Sequence, residues 1–274
     1  MKPMIIKTTL VKLHWFSVSQ LGIDPLRFFN SLRGISQYLH NWVQFQQNCS
    51  EKMLMKPCLH DRYEEGGTTK SEYFWQDLLV ARWIHEDEPE KHVDVGSRVD
   101  GFVAHVASFR EVEVFDVRPI TTTVPGVVFK QADLMQEAMV NDSMGDYCDS
   151  LSCLHALEHF GLGRYGDPID PLGYKKGIVN MAALLKPGGT FYLSVPIGRE
   201  RVEFDANWVF DPRTILHLAE SNGLALKMLT VINNGEQQSL VHPNDKVLKD
   251  LAETAYCLGI FTFARLDTKL KQSV

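Results

Sequence analysis

Basic charge is in short supply in this chain. Its 28 Lys and Arg residues stand against 34 Asp and Glu, a net charge of −6 over 274 residues. A general nucleic-acid binder carries a basic surface, so that class is excluded, while a local basic pocket is not. Cysteine is sparse as well. Cys49, Cys58, Cys148, Cys153 and Cys257 are odd in number and contain no Cys-x-x-Cys pair. This argues against a disulfide framework or a zinc knuckle and for reduced thiols in a cytoplasmic protein. Uninterrupted apolar runs are missing near the start, where Lys7, Lys12 and His14 break up the apolar patches and no small-residue cleavage site follows. Neither a signal peptide nor a membrane span is expected. The turn after the first expected strand lacks Gly-x-Gly-x-x-Gly: residues 94–101 read DVGSRVDG. Without that turn a pyrophosphate has no helix N-terminus to sit on, which counts against nicotinamide and flavin dinucleotides. Low-complexity segments and internal repeats are absent too.

What is present is an ordinary globular composition, 45% hydrophobic and 23% charged, with enough length for a full core. Two textures divide it. Residues 1–88 read as a helical extension packing on the core, and residues 89–274 as an alternating α/β domain. In the first part, Asp24-Pro25 is a cap followed by a first-turn proline. Phe28, Phe29, Leu32, Ile35, Leu39, Trp42 and Val43 then recur at helical steps, marking one face. This aromatic face is a candidate for contact with a membrane surface or a partner protein. A second helix follows Ser71, with Phe74, Trp75, Leu78, Leu79 and Trp83 apolar, and the EDEPE run at 86–90 reads as a solvated connector.

In the second part, residues 91–95, 111–117, 126–132 and 146–154 read as four strands, with a helix from Val99 to Phe109 after the first. A short helix is expected from Leu134 to Met139, and another from Tyr174 to Leu185. LLKPGGTFYLSVP, Leu184 to Pro196, then spells a helix end, a tight turn at Pro187-Gly188-Gly189, and a buried fifth strand. A helix starts at Asp211-Pro212, and LALKMLTVI and CLGIFTFARL complete a set of seven strands. Asp94, Asp116 and Asp133 stand at the ends of the first three. Asp116 follows Asp94 by 22 residues, the place where a dinucleotide-type site puts a carboxylate that accepts ribose hydroxyl protons.

This pattern resembles the class I S-adenosylmethionine-dependent methyltransferases, over roughly residues 72–266. The resemblance implies a Rossmann-like, seven-stranded, mostly parallel sheet with an antiparallel last strand. It implies S-adenosylmethionine as cofactor, with Gly96 and Ser97 in the turn beneath it and Asp94 organising that turn or reaching the methionine amino group. Asp116 would hold the ribose, and Asp133 and Leu134 the adenine. Asp133 also reads as a plain helix cap.

The fourth strand runs into HALEHFGLGRYGDPIDP, residues 155–171. Methyl transfer to a hydroxyl requires alignment and removal of a proton, so His155, Glu158 and His159 are the candidate catalytic residues. Arg164 could hold an acidic group of the acceptor, with Tyr165 and Asp167 beside it. Asn207 and Trp208, which follow the fifth strand, are further acceptor candidates, and Trp208 reads equally well as core. HALEH also spells His-x-x-Glu-His, the inverted zinc-protease pattern. That chemistry needs the motif within a helix and a further ligand, so no metal is assigned. HFGLGRYGDPIDP, with DVGS and ANWVFDP, resembles the family known as domain of unknown function 268. That resemblance implies a sugar, glycan or related small molecule as the acceptor of O-methylation, in the setting of polysaccharide biosynthesis. The alternative is a non-catalytic binding or scaffold protein that keeps the fold.

Overall fold

The computed structural model describes residues 13–67, 69–136, 145–233 and 235–267. The apolar patches around Lys7 and Lys12, and residues 137–139 of the helix expected from Leu134 to Met139, lie outside the described residues. The chain divides into two compact units, Met1–Thr68 and Thr69–Val274. The division falls at residue 68 and not at 88, because the helix after Ser71 packs into the core of the second unit.

In the first unit, α1 (Pro25–Gln46) begins where Asp24 Oδ1 accepts the Leu26 and Arg27 N–H groups, at 2.9 and 3.1 Å, with Pro25 in the first turn. Its buried residue is Gly34, where a Cβ would collide with the Leu59 carbonyl. Phe28, Phe29, Leu32, Ile35, Leu39 and Val43 are exposed. Among the described residues no helix is long and apolar enough to cross a membrane.

The second unit opens with α2 (Glu72–Asp87), whose Val80, Ala81 and Ile84 pack with Phe102, Val103 and Tyr192. Five parallel strands follow: β1 (His92–Val95), β2 (Val112–Asp116), β3 (Val127–Gln131), β4 (Cys148–Leu154) and β5 (Leu185–Ile197). Two short strands, β6 (Arg201–Glu203) and β7 (Asn207–Val209), pair as a separate hairpin. Then come β8 (Leu224–Asn233), β9 (Glu236–Leu240) and β10 (Cys257–Arg265). The large sheet runs β3-β2-β1-β4-β5-β10-β8-β9, with β10 antiparallel to both neighbours. Helices α3 (Ala104–Ala107), α4 (Gly173–Leu184), α5 (Pro212–Ser221) and α6 (Asp245–Ala252) complete the unit.

Two details differ from the sequence reading. The sheet has eight strands, because Glu236–Leu240 folds back on β8 as an edge. An edge strand needs no apolar alternation, and four of its five residues are exposed. The expected helix from Val99 to Phe109 is a wide turn over Val99–Val103 followed by the short α3. Gly101 breaks it with φ −123° and ψ −107°, and a Cβ there would stand 2.7 Å from Asp77 Oδ2.

The expected turn at Pro187-Gly188-Gly189 is an irregularity inside the start of β5, which already pairs at Leu185, and its two glycines differ. Gly188 takes the left-handed conformation, φ +80°. Gly189 gives close approach: a Cβ would meet the Asp149 carbonyl, the Lys186 carbonyl and Leu185 Cγ, all at 2.9 Å. Gly189→Ala should therefore lower stability by about 1–3 kcal/mol through overpacking. A urea midpoint unchanged from wild type would show that this turn can shift without cost.

Candidate active site

Strand order reverses between β1 and β4, so the chain leaves the carboxyl ends of these strands in opposite directions and opens a crevice there. A cavity of about 540 Å³ lies at this edge. Its walls are the turns after β1, β2, β3 and β4, together with Tyr73 from α2.

Beneath it, Asp94 is 0% exposed. Its Oδ1 accepts the Ser97 and Ser152 hydroxyls, both at 2.6 Å, and its Oδ2 accepts the Ser97 N–H at 3.0 Å. Burial pushes its carboxyl up to about 6, against the lowering effect of those donors. Asp94 therefore organises the turn and does not line the cavity. Ser97 and Gly96 do line it. Gly96 has φ +72°, donates its N–H to the Phe115 carbonyl at 2.8 Å, and leaves space where a Cβ would stand 3.0 Å from Ala156 Cβ.

Asp116 ends β2 with its side chain 11% exposed on the cavity. Arg118, which the sequence reading did not single out, lies on its carboxylate: Nε to Oδ1 is 3.1 Å and Nη2 to Oδ2 is 2.8 Å. The one local signal for this pair was a guanidinium two residues after a strand-end acid. Asp133 both lines the cavity and caps its own turn, accepting the Met135 N–H at 2.9 Å and Gln136 Nε2 at 3.2 Å. Leu134 is buried against the same wall.

His155, Glu158 and His159 come together after β4, in different electrostatic states. His155 has φ +50°, a conformation uncommon outside glycine, and its ring stacks on Tyr73 at 4.4 Å. It is 4% exposed. Its Nδ1 lies 2.8 Å from Glu158 Oε1, and its Nε2 3.5 Å from Glu72 Oε1. Glu72 Oε1 in turn accepts the Tyr256 hydroxyl at 2.6 Å. Burial depresses the His155 pKa, but the bond to Glu158 and the charges of Glu158, Glu72 and Asp77 outweigh it and raise it. His159 is the reverse case, because burial holds its pKa below the ordinary value. Its Nδ1 is 2.7 Å from the Ala206 carbonyl. A carbonyl can only accept, so Nδ1 carries the proton and Nε2 keeps its lone pair. Glu158 is buried beneath both rings, with its Oε1 3.8 Å from His159 Nε2.

The acceptor candidates separate. Tyr165 is a hub, with the His159 ring on it edge-on at 5.4 Å and the Arg118 and Arg164 guanidiniums 4.3 and 5.3 Å from its centroid. Asp167 lines the cavity but is committed to the loop, accepting the N–H groups of Gly161, Gly163 and Tyr165 at 3.0–3.3 Å. Asn207 and Trp208 lie off the cavity lining. Asn207 Nδ2 donates to the Trp208 carbonyl at 3.0 Å, and the Trp208 ring packs with Tyr174 and Phe210.

The strand order and the cavity at its reversal are those of a class I S-adenosylmethionine-dependent methyltransferase fold. A structure of Burkholderia thailandensis 1,6-didemethyltoxoflavin-N1-methyltransferase, with bound 1,6-didemethyltoxoflavin and S-adenosylhomocysteine, matches with a TM-score of 0.50 and 14% identity. The match covers 79% of this chain and 93% of that one. The [4+2]-cyclase SpnF matches with a TM-score of 0.50 and 12% identity, over 73% of this chain and 86% of that one. Residues 129–220 match the family described as "Caenorhabditis protein of unknown function, DUF268". Comparison with curated protein sequences gives no match.

The His155 arrangement has a pH consequence. A histidine whose folded pKa is raised contributes stability that is full below its unfolded pKa, 6.5, and is lost as pH rises through the folded value. His155→Gln should therefore cost more stability near pH 6 than near pH 9, by urea denaturation. An equal cost at both pH values would remove the ion-pair account of this residue.

Proposed function

We infer that this protein is an S-adenosylmethionine-dependent methyltransferase that O-methylates a sugar, glycan or related small molecule. The observation that carries this reading is the meeting of Gly96, Asp116, Asp133 and His159 on one cavity, from the ends of four adjacent strands. The residues suit the cofactor. Gly96 lets backbone border the cavity without a side chain. Asp116 faces it as an acceptor for ribose hydroxyls, and Asp133 for an adenine amino group. Leu134 gives the adenine an apolar wall.

When bound, S-adenosylmethionine supplies an electrophilic methyl group on a sulfonium. The chain supplies the base and the orientation. His159 is neutral at neutral pH, because burial lowers its pKa, and its Nε2 lone pair is the proton acceptor for the acceptor hydroxyl. The Ala206 carbonyl fixes the tautomer and stabilises the imidazolium that results. Glu158 places negative charge 3.8 Å from His159 Nε2, which favours the imidazolium. His155, held between Glu72 and Glu158, is a positioning residue for the loop. Tyr165 offers an aromatic face for a sugar ring, and the glycan assignment, with its place in polysaccharide biosynthesis, rests on the resemblance around residues 159–171.

Five free cysteines support a reducing, cytoplasmic setting, and the exposed apolar face of α1 supports a peripheral or protein contact. One observation favours a non-catalytic scaffold instead: Arg118 already occupies the carboxylate of Asp116.

Calorimetry with S-adenosylhomocysteine separates the two. Binding should be measurable and should weaken at least about tenfold in Asp116→Ala. No binding, or no effect of the substitution, would overturn the methyltransferase reading. His159→Asn should keep cofactor affinity and lose methyl transfer to a panel of sugar acceptors. Wild-type turnover should hold at pH 6.5 and fall only on more acid buffers, because His159 protonates below its ordinary value of 6.5. A His159→Asn variant with full turnover would remove this histidine as the base.

A further inference from the structure

A carboxylate offers about four lone-pair positions, and Arg118 alone fills three of those on Asp116. Its backbone N–H donates to Oδ1 at 2.8 Å, its Nε–H to the same oxygen at 3.1 Å, and its Nη2 to Oδ2 at 2.8 Å. A ribose diol brings two donors to an acid with one position left. The backbone bond is set by the chain, so the guanidinium must release at least one of its bonds when a ribose arrives.

The released group already has a second anchor. Its Cζ lies 4.3 Å from the Tyr165 ring centroid, within cation–π range. Arg164 reaches the same ring at 5.3 Å while its Nη1 donates to the Ala206 carbonyl at 3.0 Å. The neighbouring acid, Asp167, is committed to the loop through three backbone N–H groups. Two guanidinium forks then face one aromatic ring beside His159 with unfilled donors. One fork satisfies the two oxygens of a carboxylate; two forks match the three free oxygens of a phosphoryl group.

We propose that Arg118 and Arg164, gathered around Tyr165, form a binding site for a phosphoryl group of the acceptor, completed when the cofactor ribose displaces the Arg118 guanidinium from Asp116. This rests on the methyltransferase reading and adds to it an acceptor class and an order of binding. It also gives the Arg118–Asp116 pair a role in a working enzyme.

The test is calorimetric titration of inorganic phosphate into the full chain, at constant ionic strength, with and without saturating S-adenosylhomocysteine. Phosphate should bind about tenfold more tightly with the cofactor product present, and the coupling should be reciprocal. Arg118→Ala should bind S-adenosylhomocysteine as well as wild type or better, and lose the coupling. Arg118→Lys keeps the charge without the fork and should restore part of it. Arg164→Ala should lose phosphate binding and keep S-adenosylhomocysteine affinity. Equal phosphate affinity with and without cofactor product, or coupling that survives Arg118→Ala, would overturn the proposal. The same enhancement with acetate would overturn the phosphoryl assignment. Failure of wild type to bind S-adenosylhomocysteine would instead strike the methyltransferase reading, and the coupling with it.

Discussion

The buried carboxylate of Asp94 is the constraint on which the rest of the site depends. It sits on β1 at the point where strand order reverses, and it binds across that point to Ser152 of β4. The same group holds the Ser97 turn through two further bonds. Behind it, His92 lies between the Ser150 and Ser152 hydroxyls, at 2.8 and 3.1 Å from its two ring nitrogens. Ser152 gives its proton to Asp94, so His92 Nε2 must be the donor to Ser152 and Nδ1 the acceptor from Ser150. Burial holds this histidine neutral, with a pKa lowered to about 3. Both oxygens of Asp94 and both ring nitrogens of His92 have partners in this series, which makes a fully buried acid tolerable. The turns after β1 and β4 are thereby fixed to each other, and the cavity between them has rigid walls.

On that support, one five-residue stretch carries two histidines whose pKa values are shifted in opposite directions. His155 turns inward against Tyr73 and is bracketed by two acids that favour its charged form. His159 turns to the cavity and is kept neutral by burial, with its tautomer set by a backbone carbonyl. Glu158 lies between them, with its Oε1 2.8 Å from His155 Nδ1 and 3.8 Å from His159 Nε2. That separation of neighbouring titratable groups is a common way to assign structural and chemical roles within a site.

Much of this architecture was legible in the residues. The seven strands follow from local β-propensity and turn chemistry, and the mostly parallel sheet from the family resemblance. The acids at strand ends were legible too, since each stands where a β-rich run gives way to turn residues. The eighth strand was not, because Glu236–Leu240 is a polar edge held by main-chain pairing to β8. The break at Gly101 was hidden for another reason: the space that admits only glycine there is bounded by Asp77, a residue on a different helix.

Sequence by itself determined the fold class, the set of acids and the loop from which a base would come. Tertiary structure decided where each of them stands and what it touches. It withdrew Asp94 and Asp167 into backbone support, moved Trp208 into an aromatic cluster, and brought Tyr73 and Arg118 onto the cavity. It also distinguished His159 from His155, two residues of one type four positions apart. The physical reason is that a side chain's spacing is a local property, whereas its charge state, its free lone pairs and its access to a cavity depend on neighbours that the fold brings from elsewhere in the chain.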